Sequence, residues 1–249
     1  MTAKTAHKCL VLLEMISRSK EPRGVADLAR EMGLPKSNVF RLVGTLVDTG
    51  YVRRRETDSR YELTLKLWEM GMQAFSQDKL VEISKPFLER LVAETEESVH
   101  LAIYDEGDSV YIDKRDGMHP VHGVTRIGSR APAYCCATGK AALAYCLDAE
   151  VKRVAAGMRS HTGSTITSPD ILRQELQAIQ RDGYAINRGE WYEDVWGIAA
   201  ALRTRTGLAP ASIGIWAPRN RVEHRIETLG KTVAGIASEL SKALGFSPE

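Results

Sequence analysis

Between residues 25 and 61 the chain states one apolar pattern twice and then abandons it, and few folds accommodate that succession. Val25, Leu28, Ala29 and Met32 fall at i, i+3, i+4 and i+7, the buried stripe of a short helix. Gly33-Leu34-Pro35 interrupts it. Glycine ends a helix at little cost, and proline cannot continue one but can open the next. Val39, Leu42, Val43 and Leu46 then repeat the stripe. Two short helices joined by so tight a turn predict a helix-turn-helix, whose second helix can enter a DNA major groove. Lys36, Ser37, Asn38 and Arg41 lie off the second stripe, toward the helix N-terminus that meets base edges in such motifs.

The residues behind the second helix agree. Gly50-Tyr51-Val52 ends it, Arg53-Arg54-Arg55 follows, and Thr57-Asp58-Ser59 separates that run from Arg60-Tyr61-Glu62-Leu63. Extended residues around a polar turn predict a hairpin. An arginine run by itself is ordinary solvated surface; behind a helix-turn-helix it makes a wing that can follow the phosphate backbone. Arg41 and Asn38 are expected to contact bases, and Lys36, Ser37, Arg53, Arg54, Arg55 and Arg60 to grip phosphates. Charge divides the same way. Residues 1–66 hold 13 Lys and Arg against 8 Asp and Glu, a net +5, while the remainder holds 21 against 24, a net −3. A basic head on a slightly acidic body suits nucleic-acid binding.

A chain of 249 residues suits two domains. The head is expected over 1–63, opened by a helix over 6–17 with Cys9, Leu12, Leu13 and Ile16 inward. Residues 64–79 predict a linker helix, because Leu65, Trp68, Met72 and Phe75 recur at helical steps. That stripe can pair with another subunit or pack on its own wing. The second domain is expected over 80–249. It opens with a helix over 81–94, with Pro86 at a boundary or kink. A hairpin turns at Asp105-Glu106-Gly107-Asp108. A small-residue helix starts at Thr138-Gly139-Lys140, and Ser168-Pro169-Asp170 caps another that ends near Gly183. Strands at 184–187, 198–202 and 212–216 precede a final helix over 222–244. Helices packed on an antiparallel sheet make an α+β fold.

Other classes find little support. No apolar run approaches the ~18 residues of a membrane span, and no signal-peptide core opens the chain. Cys9, Cys135, Cys136 and Cys146 show neither a disulfide framework nor zinc-ribbon spacing, so a reducing cytoplasm is expected. There is no Walker loop or dinucleotide fingerprint, and no cofactor is expected. His119-Pro120-Val121-His122 is read as a loop pair without metal, because proline separates the two histidines and no third ligand is near.

The stretch from 28 to 61, LAREMGLPKSNVFRLVGTLVDTGYVRR…RYEL, resembles the IclR family of bacterial transcriptional regulators. Ser98-Val99-His100-Leu101-Ala102, Tyr111-Ile112-Asp113-Lys114, Gly128-Ser129-Arg130-Ala131-Pro132, Gly139-Lys140-Ala141, Thr165-Ile166-Thr167 and Gly183-Tyr184-Ala185 are similar to further family blocks, in order. The resemblance implies a winged helix-turn-helix, a linker helix and a GAF-like effector-binding domain. It also implies homodimers, often paired into tetramers, palindromic double-stranded operators and a small-molecule effector. A DNA-binding regulator, a repressor of a catabolic operon and not an enzyme, is the function it suggests.

In many members a small organic acid sits among four elements: the loop before the Gly-Lys helix, an acidic residue after the Gly-Tyr turn, a cysteine on the next strand, and two hydroxyl residues on the last strand. Carried over by resemblance, the loop is Ala137, Thr138 and Gly139, beside Cys135. Asn187 stands at the acidic position, Gly197 at the cysteine, and Gly214 and Trp216 at the hydroxyls. Two glycines are expected to enlarge the cavity, and Trp216 to offer a flat wall with one N–H donor. The expected effector is therefore larger or more aromatic than glyoxylate or pyruvate: an aromatic acid or its amide, with a sugar acid as competitor. Alternatively Trp216 packs in the core. Cys135 and Cys136 with His100 sketch a Cys/His hydrolase or a redox sensor, though a hydrolase's local residues are missing. Arg130 and Lys140 are expected at the surface, with carboxylate binding as the alternative. Glu190, Glu193 and Asp194 read as a solvated loop.

Overall fold

Both apolar stripes form helices in the computed structural model, which describes residues 3–75, 80–119, 125–203 and 211–246. The Met72 and Phe75 side chains, residues 76–79 of the expected linker, and His122 lie outside the described residues. Helix α1 (Lys4–Arg18) packs on α2 (Val25–Met32) and α3 (Lys36–Asp48). Gly33 makes the turn possible: it adopts φ 63°, and its N–H closes on the carbonyls of Ala29 and Arg30. Leu12, Ile16, Leu28, Val39, Leu42, Val43 and Leu46 fill the core, with Val52 and Tyr61 from the wing. Strands β1 (Val52–Arg54) and β2 (Tyr61–Leu63) pair antiparallel, with Arg53 opposite Glu62. Helix α4 (Lys66–Phe75) follows. Lys66 Nζ donates to the Thr49 carbonyl at 2.7 Å and lies 4.6 Å from the centre of the Tyr51 ring, while Leu65 and Trp68 remain exposed. The chain divides into two compact units, Met1–Asp78 and Lys79–Glu249, so α4 belongs to the first.

The second unit opens with α5 (Leu80–Thr95). Pro86 stands inside this helix rather than at its boundary, and Leu88 and Leu91 beyond it are fully buried. Packing along the rest of the helix overrides the local break. Strands β3 (Ser98–Asp105), β4 (Asp108–Arg115), β5 (Arg130–Pro132), β6 (Ala185–Arg188), β7 (Val195–Leu202) and β8 (Ala211–Pro218) form one antiparallel sheet, in the order β5-β4-β3-β8-β7-β6. Between β5 and β6 come a tight helical turn (Ala133–Cys135), α6 (Ala137–Leu143), α7 (Asp148–Ala156) and α8 (Pro169–Asp182). Ser168 precedes α8 as expected, but its hydroxyl makes no capping bond. Helices α9 (Arg219–Val222) and α10 (Ile226–Ala243) close the unit. The continuous final helix expected from the sequence is broken at 223–225, where α9 delivers Arg221 to both oxygens of buried Glu97 at 2.9 and 2.8 Å.

Strand alternation sorts the side chains into two layers. Val99, Leu101, Ile198 and Ile213 meet Leu88 and Leu91 of α5 and Val233 and Ile236 of α10. On the other face Ala199 packs with Ala141 and Leu143 of α6 and Leu172 and Leu176 of α8. Among the described residues no helix is long and apolar enough to cross a membrane.

Gly139 shows how close α6 comes to the preceding turn: a Cβ there would stand 2.3 to 2.8 Å from the Ala133 backbone. Backbone cannot give way as a side-chain tip can. Gly139→Ala is expected to destabilise the second unit by about 1–3 kcal/mol or more, read as a lower denaturant midpoint. An unchanged midpoint would mean that α6 shifts freely.

Candidate DNA interface and ligand cavity

Six residues expected to meet DNA lie exposed on the head: Lys36, Ser37 and Arg41 on α3, and Arg53, Arg54 and Arg60 on the hairpin. Asn38 and Arg55 are half-buried. The arginines are not equivalent. Arg53 is tied across the hairpin to Glu62 at 2.7 Å, and Arg55 lies 3.8 Å from Asp58. Among the described residues Lys36, Arg41, Arg54 and Arg60 make no ion pair, so their charge is unspent.

The second unit holds a cavity of about 420 Å³ on the α6 face of the sheet. Three of its residues form a row across neighbouring strands: Asn187 on β6 pairs with Gly197 on β7, which pairs with Trp216 on β8. Ala137 and Thr138 come from the start of α6, His100 from β3, Tyr111 from β4, and Trp191 and Tyr192 from the β6–β7 connection. Arg126 also lines it, exposed and without an ion pair among the described residues. Gly197 leaves the gap in the row. A Cβ there would approach the Ile215 carbonyl to 3.1 Å and Ala137 to 3.5 Å.

Several expectations need correction. Cys135 does not line this cavity; its neighbour Cys136 does, because the helical turn before α6 points Cys135 into the α6–α8 core. Gly139 does not line it, and Gly214, expected to enlarge it, does not line it either. Gly139 is needed against Ala133, and a Cβ on Gly214 would strike Ala199 Cβ and the Ile198 carbonyl at 2.6 Å. Lys140 is not a surface charge. It has no exposed side-chain area, and its Nζ donates to Glu190 at 2.7 Å and Glu175 at 3.0 Å. Glu190 is thereby a buried partner rather than part of a solvated loop. Arg130 lines the cavity but is already bound by Asp105 and Asp108.

Trp216 spends its donor inside the protein. Its Nε1–H donates to His100 Nε2 at 2.7 Å, and the two rings stack at 5.8 Å and 22°. An indole N–H can only donate, so His100 Nε2 carries no proton and its Nδ1 does. The imidazole is neutral: burial pulls its pKa from 6.5 to about 3, with Lys114 lowering it further and Asp116 opposing. Asn187 Oδ1 likewise accepts the Glu190 N–H at 2.8 Å, leaving its amide hydrogens. Among the described residues neither His100 Nδ1 nor Asn187 Nδ2 has a partner. The site thus offers two neutral donors, aromatic walls and one uncompensated cation. His100 and Tyr111 were missed as cavity residues in the sequence; the only signal was their parity on a hairpin whose register was unknown.

Burial also raises both thiols. Cys135 Sγ donates to the Pro132 carbonyl at 3.4 Å, Cys136 Sγ to the Ala131 carbonyl at 4.0 Å, and neither bonds His100. A nucleophilic or redox-sensing cysteine needs the opposite, a stabilised and accessible thiolate.

Comparison with known proteins decides the family. The model of the IclR helix-turn-helix domain matches residues 5–56, and that of the bacterial transcriptional regulator IclR C-terminal domain matches 72–242. The chain belongs to the IclR family. The HTH-type transcriptional regulator KdgR of Escherichia coli (strain K12) is 31% identical over 242 residues, covering 96% of this chain and 92% of that protein. The Thermotoga maritima IclR crystal structure superposes with a TM-score of 0.80 at 27% identity, over 98% of this chain and 100% of its own. An IclR homologue from Microbacterium hydrocarbonoxydans, complexed with 4-hydroxybenzoate, shares the fold with a TM-score of 0.83 at 22% identity, over 98% and 100%. The chain is accordingly a DNA-binding transcriptional regulator of this family, with a winged head and an α+β effector domain.

The depressed His100 pKa makes stability pH-dependent. Between 3 and 6.5 the unfolded chain takes up a proton that the folded chain refuses, so stability present above 6.5 is lost as pH falls. From pH 7 to pH 5 this group is expected to remove about 2 kcal/mol. His100→Gln retains an acceptor for Trp216 and should flatten that loss in denaturant unfolding; an unaltered pH slope would show that His100 titrates normally.

Proposed function

We propose that this regulator is a cytoplasmic repressor of a catabolic operon and that its effector is an aromatic carboxylic acid or the corresponding amide. The observation that carries the effector class is the pairing of Trp216 with His100. It leaves a flat aromatic wall and a neutral Nδ1–H where a charged imidazolium or a hydroxyl cluster would suit other ligands. Tyr111 and Trp191 add ring surface. Arg126 is the partner for a carboxylate, and Asn187 Nδ2 for a carbonyl or ring hydroxyl. Ala137, Thr138, Gly197 and Cys136 complete the contact. A sugar acid is the competing class, since Arg126 would serve it equally while the rings would not.

Residues 64–79 act as the linker, and homodimers, paired as tetramers or not, present two heads to a palindromic operator. Effector binding shifts the population between head spacings, because half-sites about one helical turn apart read that spacing directly. Exposed Leu65 and Trp68 support α4 as a contact between subunits.

A thermal-shift series with benzoate, 4-hydroxybenzoate, benzamide and gluconate tests the effector class. Aromatic acids should raise the melting temperature by mass action, and Trp216→Ala should abolish that rise. Stabilisation by gluconate alone would move the assignment to sugar acids. On DNA, Arg41→Ala should cost about 1–3 kcal/mol on the operator and little on random duplex. Arg54→Ala should weaken both and reduce the salt slope by about one. Equal losses on both duplexes for Arg41→Ala would remove it as a base reader.

A further inference from the structure

Helix α3 carries a ring that the head does not use. Phe40 is 62% exposed and stands outside the head's apolar cluster. It lies between exposed Ser37 and Arg41 on the outer face. One turn further on, Gly44 shares that face. A helical glycine lowers stability relative to alanine, and the usual reason for tolerating it, crowding, is missing: a Cβ on Gly44 would meet nothing within 4 Å. The head therefore projects an aromatic ring where it meets only solvent, and lacks a side chain where it has room for one. Neither choice follows from packing within the chain.

We propose that Phe40 reads sequence by seating its ring on a thymine methyl in the operator major groove, and that Gly44 is the gap that lets the DNA approach α3. The inference rests on the reading of α3 as the base-contacting helix. The occupant is DNA because uncompensated cations lie beside Phe40 on α3, Lys36 and Arg41, and the wing carries another, Arg54. The thymine C5-methyl is the apolar mark that the major groove displays, and phenylalanine is among the side chains that meet it. Arg41 beside it would read a base edge by hydrogen bonding, so neighbouring positions on one turn would use different chemistry.

The test uses the full-length protein and an operator selected from random duplexes. Each thymine of a half-site is replaced in turn by deoxyuridine, which lacks only the 5-methyl group. For the unaltered protein, at least one replacement should weaken binding about fourfold, the equivalent of one buried methyl. Phe40→Ala should weaken binding to the thymine operator and become indifferent to that same replacement. Arg41→Ala should remain sensitive to it, and Phe40→Leu should keep part of the sensitivity. Gly44→Ala should raise the melting temperature yet weaken operator binding at least tenfold. Phe40→Ala is exposed and should melt as the parent does. Undiminished deoxyuridine sensitivity in Phe40→Ala would overturn the thymine contact, and parent-like operator binding by Gly44→Ala would overturn the gap. A changed molar mass for Phe40→Ala in sedimentation would overturn the proposal by giving the ring to a second copy of the chain. If the unaltered protein selects no duplex at all, the reading of α3 itself fails, and the inference with it.

Discussion

The effector domain is organised around a lysine that has no contact with water. Taking an ammonium out of water costs several kcal/mol, and the cost is offset only by close, well-placed carboxylates. Lys140 has two, Glu190 and Glu175. The bond to Glu190 joins α6 to the β6–β7 connection, and both carry cavity residues: Ala137 and Thr138 on one side, Trp191 and Tyr192 on the other. The connection is held from its outer side as well. Thr162 Oγ1 donates to the Gly189 carbonyl at 2.7 Å and Thr165 Oγ1 to that of Glu190 at 2.6 Å. Gly189 at φ 77° permits the turn, and a Cβ there would collide with the Glu193 carbonyl. Breaking such a buried pair from one side typically costs about 3–5 kcal/mol, so the pair ties α6 and the connection together beside the cavity.

That rigidity gives the two neutral donors their meaning. His100 and Asn187 each use one polar atom to satisfy the protein and leave the other for the cavity. Trp216 fixes which imidazole nitrogen keeps its proton, and the Glu190 N–H fixes which way the Asn187 amide points. Neither side chain needs to reorganise when a ligand arrives, so less ordering entropy opposes binding. A ligand with acceptors at the matching positions gains both bonds. One that presents only donors leaves two buried N–H groups unpaired, a penalty of about 1–3 kcal/mol each. If this cavity is the effector site, as proposed, selectivity would come from neutral, prepositioned donors, with Arg126 supplying the charge at an exposed position.

The head was legible in the sequence because its determinants are local. A stripe at i, i+3, i+4 and i+7, a glycine able to adopt φ 63° and a proline that opens the next helix are all visible within about twenty residues. The α+β class followed from strands and helices legible one at a time. The cavity was legible only in part. Ala137, Thr138, Asn187, Gly197 and Trp216 came through resemblance and do line it. The partner of Trp216 is 116 positions away, and nothing local says that β8 lies against β3 in the register that joins them. Lys140 was misjudged for the same reason, since its carboxylates are 35 and 50 residues distant. Cys135 and Cys136 differ by a single step on a short helical turn, and only the backbone path decides which of them meets the cavity.

The glycines make the limit concrete. A sequence shows that a side chain is missing but not what takes its place: of the two glycines expected to open space for a ligand, Gly214 does not, and Gly139, placed at the site by resemblance, does not line it. At Gly139 the space is taken by the Ala133 backbone and at Gly214 by Ala199, so the missing atoms serve close packing of α6 and of the sheet. Gly197 borders the cavity, yet a Cβ there would also crowd the Ile215 carbonyl. Gly44 is the reverse case: a Cβ there would meet nothing within 4 Å, although a helix interior would be more stable with alanine. Where internal crowding explains a glycine, it reports on the fold. Uncrowded glycines also lie in α4 (Gly71) and α10 (Gly235), so the absence of crowding alone names no partner; at Gly44 the proposed reading rests on its place one turn from exposed Phe40 and Arg41.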